Sequence, residues 1–129
     1  MGIAAWCILT NHVHLVFRSV GERKPELILD DFKRFTSKKI VKAIQDNPKV
    51  SRKENLLAIF KFEAVKSSNV NGFQFWSQNN KPIELWRNKV IQEKINYVHQ
   101  NPVEEGLVFR AEDYSYSSAI YYSWEKRGF

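Results

Sequence analysis

Residues 4–9 and 12–18 are rich in aliphatic, aromatic and β-branched side chains and are separated by Thr10-Asn11. That pattern predicts two strands joined by a two-residue turn. After the Gly- and Pro-containing stretch SVGERKP the period changes. Over 25–46 the apolar positions Ile28, Phe32, Phe35, Ile40 and Ile44 recur every three to five residues with polar residues between them, which predicts a helix. NPKVS ends it, and Ser51 followed by Glu54 forms a capping box ahead of LLAIFKFEAV, so a second helix is expected over 52–66. SSNVNG reads as a loop, and FQFWSQ alternates aromatic and polar residues as a short strand does. Residues 83–100, with Val90, Ile91, Ile95 and Val98 at helical spacing, predict a third helix that Pro102 terminates. The tail opens on GLVF, a candidate short strand, and continues as an aromatic-rich segment whose pattern favours neither period.

No repeat, low-complexity tract or long linker interrupts the 129 residues, so a single domain over 1–129 is expected. Its 43% hydrophobic content, with nine Phe, five Tyr and four Trp, is enough to fill a core. No run is long and apolar enough to span a bilayer, and Met1 to Ala5 lacks the charged start of a signal peptide. Cys7 is the sole cysteine, so no intramolecular disulfide can form, in keeping with a cytoplasmic location. The formal net charge of +6 makes an anionic partner the first expectation. On the 25–46 helix Arg34, Lys38 and Lys42 recur every four residues, with Lys33 and Lys39 alongside. Such a face can follow a phosphate backbone while Trp76 or Phe75 stacks on unpaired bases, and it can equally be a solvated helix surface above core aromatics.

Two stretches carry candidate chemistry. His12 and His14 stand one residue apart, so on a strand they share a face, about 7 Å from one another along the chain, while Val13, Leu15 and Phe17 point to the other, expected buried, side. Two imidazoles so placed can converge on one divalent cation, or can simply be polar residues on an exposed sheet face. In NYVHQNPVEEGL, Tyr97 and Asn101 are one helical turn apart. A tyrosine beside a metal-polarised phosphodiester is a competent nucleophile, and an amide oxygen suits Mg2+ or Mn2+. The same two residues also fit an aromatic at the core's edge and a helix C-cap before Pro102. His99 lies about 200° around the helix from Tyr97 and is expected to be structural.

Taken together and in this order, AWCILTNHVHLVF, NYVHQNPVEEGLV and DYSYSSA resemble the IS200-like or REP-associated tyrosine transposases, the single-tyrosine branch of the HUH endonucleases. The resemblance runs from about Ala4 to Tyr122 and is loose between residues 25 and 72. It implies an α/β (α+β) fold of the RRM or ferredoxin-like kind, with helices on one face of an antiparallel sheet. It also implies single-stranded DNA cleavage and rejoining through a covalent 5′-phosphotyrosine, with a hairpin in the DNA and a homodimeric enzyme. The family's HUH pair falls on His12 and His14, its catalytic tyrosine on Tyr97, and its third metal-ligand position, commonly Gln in related insertion-sequence enzymes, on Asn101. Mg2+ or Mn2+ is the implied cofactor, and Arg34, Lys38, Lys42 and Trp76 are the residues assigned to the DNA.

Members of that family have a further strand and helix before the strand that starts here near Ala4. By this comparison the chain is N-terminally truncated, and is expected to be either a decayed copy or an obligate dimer in which a second chain covers the gap in the sheet. Two other readings stay open at this level: a catalytically silent nucleic-acid-binding remnant of such an enzyme, and a small Zn2+ protein built on His12 and His14, for which the lone Cys7 leaves the ligand set incomplete.

Overall fold

A computed structural model describes residues 1–66, 72–77 and 82–126. The chain is mixed α/β and forms two compact units, Met1–Arg23 with Ile83–Phe129, and Lys24–Pro82. The loop expected over SSNVNG lies, apart from Gly72, outside the described residues.

In the first unit, β1 (Gly2–Ile8) and β2 (Val13–Arg18) form an antiparallel hairpin. The two-residue turn is as expected: the Leu9 N–H donates to the His12 carbonyl at 2.9 Å, leaving Thr10 and Asn11 to reverse the chain. His12 therefore sits at the turn, one residue before β2 begins. Between Ile3 and Ala5 the register shifts, so Ala4 is bulged, and its carbonyl accepts a hydrogen bond from the Tyr122 hydroxyl. The other edge of β1 is bonded to residues 116–118: Ile8 N–H donates to Tyr116 O at 2.8 Å and Ser118 N–H to Trp6 O at 3.0 Å. β1 is thus flanked on both sides. Among the described residues β2 has β1 as its one strand partner.

Helix α3 (Asn88–Glu104) packs on one face of this hairpin. It buries Ile95, Val98, His99 and Pro102, an i, i+3, i+4, i+7 stripe, and Val98 joins Cys7 and Leu9 in a cluster against which Val16 and Tyr114 pack. Cys7 pairs with His14 across the strands, and Ala5 with Val16, so the face that α3 covers is the face carrying His14. The expected sidedness is therefore corrected. Val13, Leu15 and Phe17 are only half-buried on the opposite face, beside an Ile8 that is 47% exposed. The physical reason is that β2 is apolar on both faces, so its period could not choose between them. Ala5 and Cys7 are small enough on β1 to let a helix approach the histidine side.

The end of α3 also departs from expectation. Pro102 lies inside the helix, fully buried, and the helix runs on to Glu104. What stops it is Gly106, at φ +77, where Leu107 N–H donates to Pro102 O at 2.9 Å and Gly106 N–H to Val103 O at 3.0 Å. This paired closure satisfies the last carbonyls, and only glycine takes the left-handed position cheaply. The helix begins at Asn88, five residues later than expected. The remaining chain holds a 3-10 turn over Ala111–Asp113 and α4 (Ala119–Lys126), and GLVF forms a turn and not a strand.

In the second unit α1 spans Pro25–Asp46, as the periodicity predicts, with Pro25 in its first turn. It buries Ile28 and Val41, whereas Phe35 is 63% exposed beneath the Lys39 ammonium. α2 (Lys53–Lys66) starts after Arg52, which stands at φ 58, so Ser51 is not its immediate N-terminal neighbour. Residues 73–77 of the expected FQFWSQ strand are irregular, and Gln78 lies outside the described residues. One backbone bond, Gln74 N–H to Phe60 O at 2.9 Å, and edge-to-face contacts of Phe75 with Phe60 and Trp76 hold the segment. The aromatic alternation thus serves packing against α2 in place of a sheet ladder.

Candidate metal and nucleophile site

The four residues singled out at the two ends of the first unit come together around His14. Asn101 Nδ2 donates to His14 Nε2 at 3.0 Å. The His12 and His14 rings stand edge to face with centroids 4.9 Å apart. The Tyr97 ring lies 5.8 Å from that of His14, nearly perpendicular to it. β2 fixes His14, the turn fixes His12, and α3 fixes Tyr97 and Asn101 one helical turn apart. Because the helix continues through Pro102, Asn101 is an interior helical residue and not a cap, and its buried amide is aimed at the sheet.

The nitrogen chemistry of the pair is defined by its neighbours. His12 Nδ1 donates to Asn11 Oδ1 at 2.7 Å, so in the neutral tautomer the nitrogen of His12 open to a ligand is Nε2. His14 Nε2, as the acceptor from Asn101, likewise carries a lone pair. Burial, and then the neighbouring His12, push the His14 pKa below its ordinary value, with Glu105 acting weakly in the opposite sense. Both features favour neutral imidazole, the form that ligates metal. Turning the Asn101 amide about its Cβ–Cγ bond places an oxygen where the nitrogen now is, which sets one amide oxygen beside His14 Nε2, with the His12 ring next to that of His14. Imidazole nitrogens with an amide oxygen are a donor set that would suit Mg2+ or Mn2+.

Among the described residues no three His, Cys, Asp or Glu side chains come together, so a closed zinc centre of the usual type has no ligand set. Cys7 faces His14 across the ladder but is fully buried, and burial raises its pKa, keeping it a thiol.

Tyr97 is 51% exposed, an accessible phenol at the rim of the packed stripe. The Lys94 ammonium lies 5.4 Å from its ring centroid. Lys94 and Glu105 are additions to the sequence reading. Lys94 lies on α3 three residues before Tyr97, and Glu105 caps the helix four residues after Asn101, a signal that helical spacing alone contains. His99 is buried on the other side of α3, with Nε2 2.7 Å from Ser118 Oγ and its ring against Tyr122. The same Ser118 hydroxyl oxygen accepts the Trp6 N–H at 2.9 Å, so His99 braces the helix to β1.

Arg34, Lys38, Lys42 and Trp76 belong to the second unit, where they line one groove beside α1. No helix among the described residues is long and apolar enough to cross a membrane. No family model, no curated protein and no solved structure matches the chain, so the functional reading rests on the site itself and on the sequence resemblance.

Proposed function

We propose that the chain is a metal-dependent tyrosine endonuclease of the HUH kind that nicks and rejoins single-stranded DNA, the chemistry of a transposase. The observation that carries this reading is the convergence of Tyr97, Asn101 and His12 on His14 within one chain. The closeness of the two histidines follows from their spacing on the chain, whereas the placement of Tyr97 and Asn101 against His14 joins segments more than 80 residues apart.

His12, His14 and Asn101 would hold a Mg2+ or Mn2+ ion, which when bound would supply positive charge to polarise the scissile phosphate. Tyr97 does the covalent work. Its Oη forms a bond to phosphorus as the P–O3′ bond breaks, the electron pair stays on O3′, which takes up a proton, and the phenolic proton is lost to solvent. The product is a 5′-phosphotyrosine and a free 3′-hydroxyl. Lys94 keeps a positive charge beside the nucleophile, which favours approach of the phosphodiester anion. Because the phosphodiester linkage is exchanged and not hydrolysed, a second 3′-hydroxyl can attack the phosphotyrosine and join strands without ATP.

A homodimer belongs to the same reading. It is supported by the single neighbour of β2 among the described residues and by the half-exposed apolar face of the hairpin, features that a second chain can cover. A well-folded monomer in sedimentation velocity at micromolar concentration removes the dimer from the proposal without touching the nuclease.

The nuclease itself is tested by incubating the chain with Mn2+ and labelled, hairpin-bearing single-stranded DNA, and resolving the products on a denaturing gel. A covalent protein–DNA adduct that disappears with Tyr97→Phe is expected. An adduct that survives Tyr97→Phe rejects the nucleophile, and no adduct with any divalent metal favours the catalytically silent DNA-binding remnant.

A further inference from the structure

The second unit contains a built surface that the nicking chemistry does not use. Along one side of α1, Arg34, Lys38 and Lys42 advance in steps of about 6 Å, the rise of four helical residues. Opposite them runs the irregular segment 72–77, and the two enclose an open groove of about 750 Å3. Among the described residues its lining holds four cations, Lys33, Arg34, Lys38 and Lys42, against a single acid, Asp30. The wall opposite α1 is aromatic, contributed by Phe73, Phe75 and Trp76.

The two walls are tied to each other. Trp76 Nε1 donates to Thr36 Oγ1 at 2.9 Å and Lys33 Nζ to the Ser77 carbonyl at 3.0 Å. Phe32 and Phe75 pack on the Trp76 ring, yet all three aromatic side chains of the groove wall remain only half-buried. Rings fixed in this way and left partly open to a concave surface can accept a flat partner at little cost in ordering. Arg34 lies 3.7 Å from Asp31 and Lys42 3.0 Å from Asp46. Both are exposed pairs along one helix, a type that contributes little and gives way readily to a phosphate.

We propose that this groove is a binding site for a stretch of single-stranded DNA, with successive phosphates against Arg34, Lys38 and Lys42 and unpaired bases against Trp76 and the neighbouring Phe rings. The choice of DNA over another polyanion rests on the proposed nuclease. The choice of single strand over duplex rests on the groove, because a paired base offers an edge and not a face to an aromatic ring. The helical step is comparable to the separation of phosphates on an extended strand, so one cation can meet each nucleotide in turn. The groove lets the chain hold DNA without any metal.

The test is fluorescence anisotropy of the full chain with a labelled twelve-nucleotide oligothymidylate in EDTA, at several NaCl concentrations. A triple variant, Arg34→Gln, Lys38→Gln and Lys42→Gln, is compared with an equal loss of charge at Lys49→Gln, Lys66→Gln and Lys89→Gln. All six side chains are exposed, so both variants are expected to keep the circular dichroism of the parent. Three lost phosphate contacts reduce the slope of log affinity against log salt by about 2 and weaken binding about tenfold or more at 0.1 M salt. An oligomer of the same length with its bases removed is expected to bind about tenfold more weakly than the intact one. Equal losses in the two variants overturn the groove. Equal affinity for the abasic oligomer or for a duplex overturns its single-strand preference, and competition by an acidic peptide as strong as by DNA shows a general polyanion surface in its place. The adduct assay is read separately: groove-dependent binding without an adduct rejects the nuclease alone, and an adduct with groove-independent binding rejects the groove alone.

Discussion

Asn101 Nδ2 lies 3.0 Å from His14 Nε2, joining residues 87 positions apart in the chain. That bond links the tyrosine helix to the histidine strand and orients both groups toward one point. Asn101 is buried, so its loss leaves the interior of the site short of a polar partner. Asn101→Ala is expected to cost about 1–3 kcal/mol in urea denaturation. It is also expected to reduce Mn2+ affinity, measured by isothermal titration calorimetry, by about tenfold or more. Unchanged affinity removes Asn101 from the metal site.

His14 provides a pH signature. Its folded pKa is lowered, chiefly by burial and then by His12, so just below pH 6.5 the unfolded chain binds more protons at this position than the folded one. Stability from this group therefore rises with pH through that window and is lost on acidification. The expected NMR titration midpoint of the His14 ring lies below the ordinary value, and His14→Gln flattens the acid side of the stability profile. A midpoint above 6.5 contradicts the burial described for the ring.

Ser118 connects His99 of α3 to Trp6 of β1 through one hydroxyl. Ser118→Ala strands a buried imidazole nitrogen and a backbone N–H together. A loss of about 2–4 kcal/mol in chemical denaturation is expected, with Tyr97-dependent adduct formation retained wherever the variant is folded. A variant as stable as the parent shows that water replaces the hydroxyl.

Gly106→Ala isolates a backbone effect, since an added Cβ at this position meets nothing within 4 Å. The penalty comes from φ +77 alone and is expected to be about 1 kcal/mol. A drop of a few degrees in melting temperature by differential scanning calorimetry checks it. No change in melting temperature means that α3 ends without the left-handed residue.

Much of this architecture was readable from local pattern. The hairpin with its Thr10-Asn11 turn, α1 over Pro25–Asp46 and the body of α2 follow from periodicity and turn chemistry, which act between near neighbours. The pairing of His12 with His14, and of Tyr97 with Asn101, was also visible as spacing. FQFWSQ misled because alternation only states that side chains point two ways, and whether a partner strand exists is a non-local fact. Pro102 misled because its cost inside a helix is set against burial of its ring, and burial depends on what packs there.

By itself the sequence determined the hairpin, the bodies of α1, α2 and α3, the excess positive charge and the spacing of the candidate site residues, because each is a property of composition or of neighbours along the chain. Only the tertiary structure decided which face of β2 is covered, that α3 passes through Pro102 to keep Asn101 helical, and that His12, Tyr97 and Asn101 gather at His14. Those outcomes depend on where α3 docks. The small Ala5 and Cys7 on the histidine face, the Ser118 bridge and the glycine at 106 act together to set that docking, and their effect exists only once the chain has closed on itself.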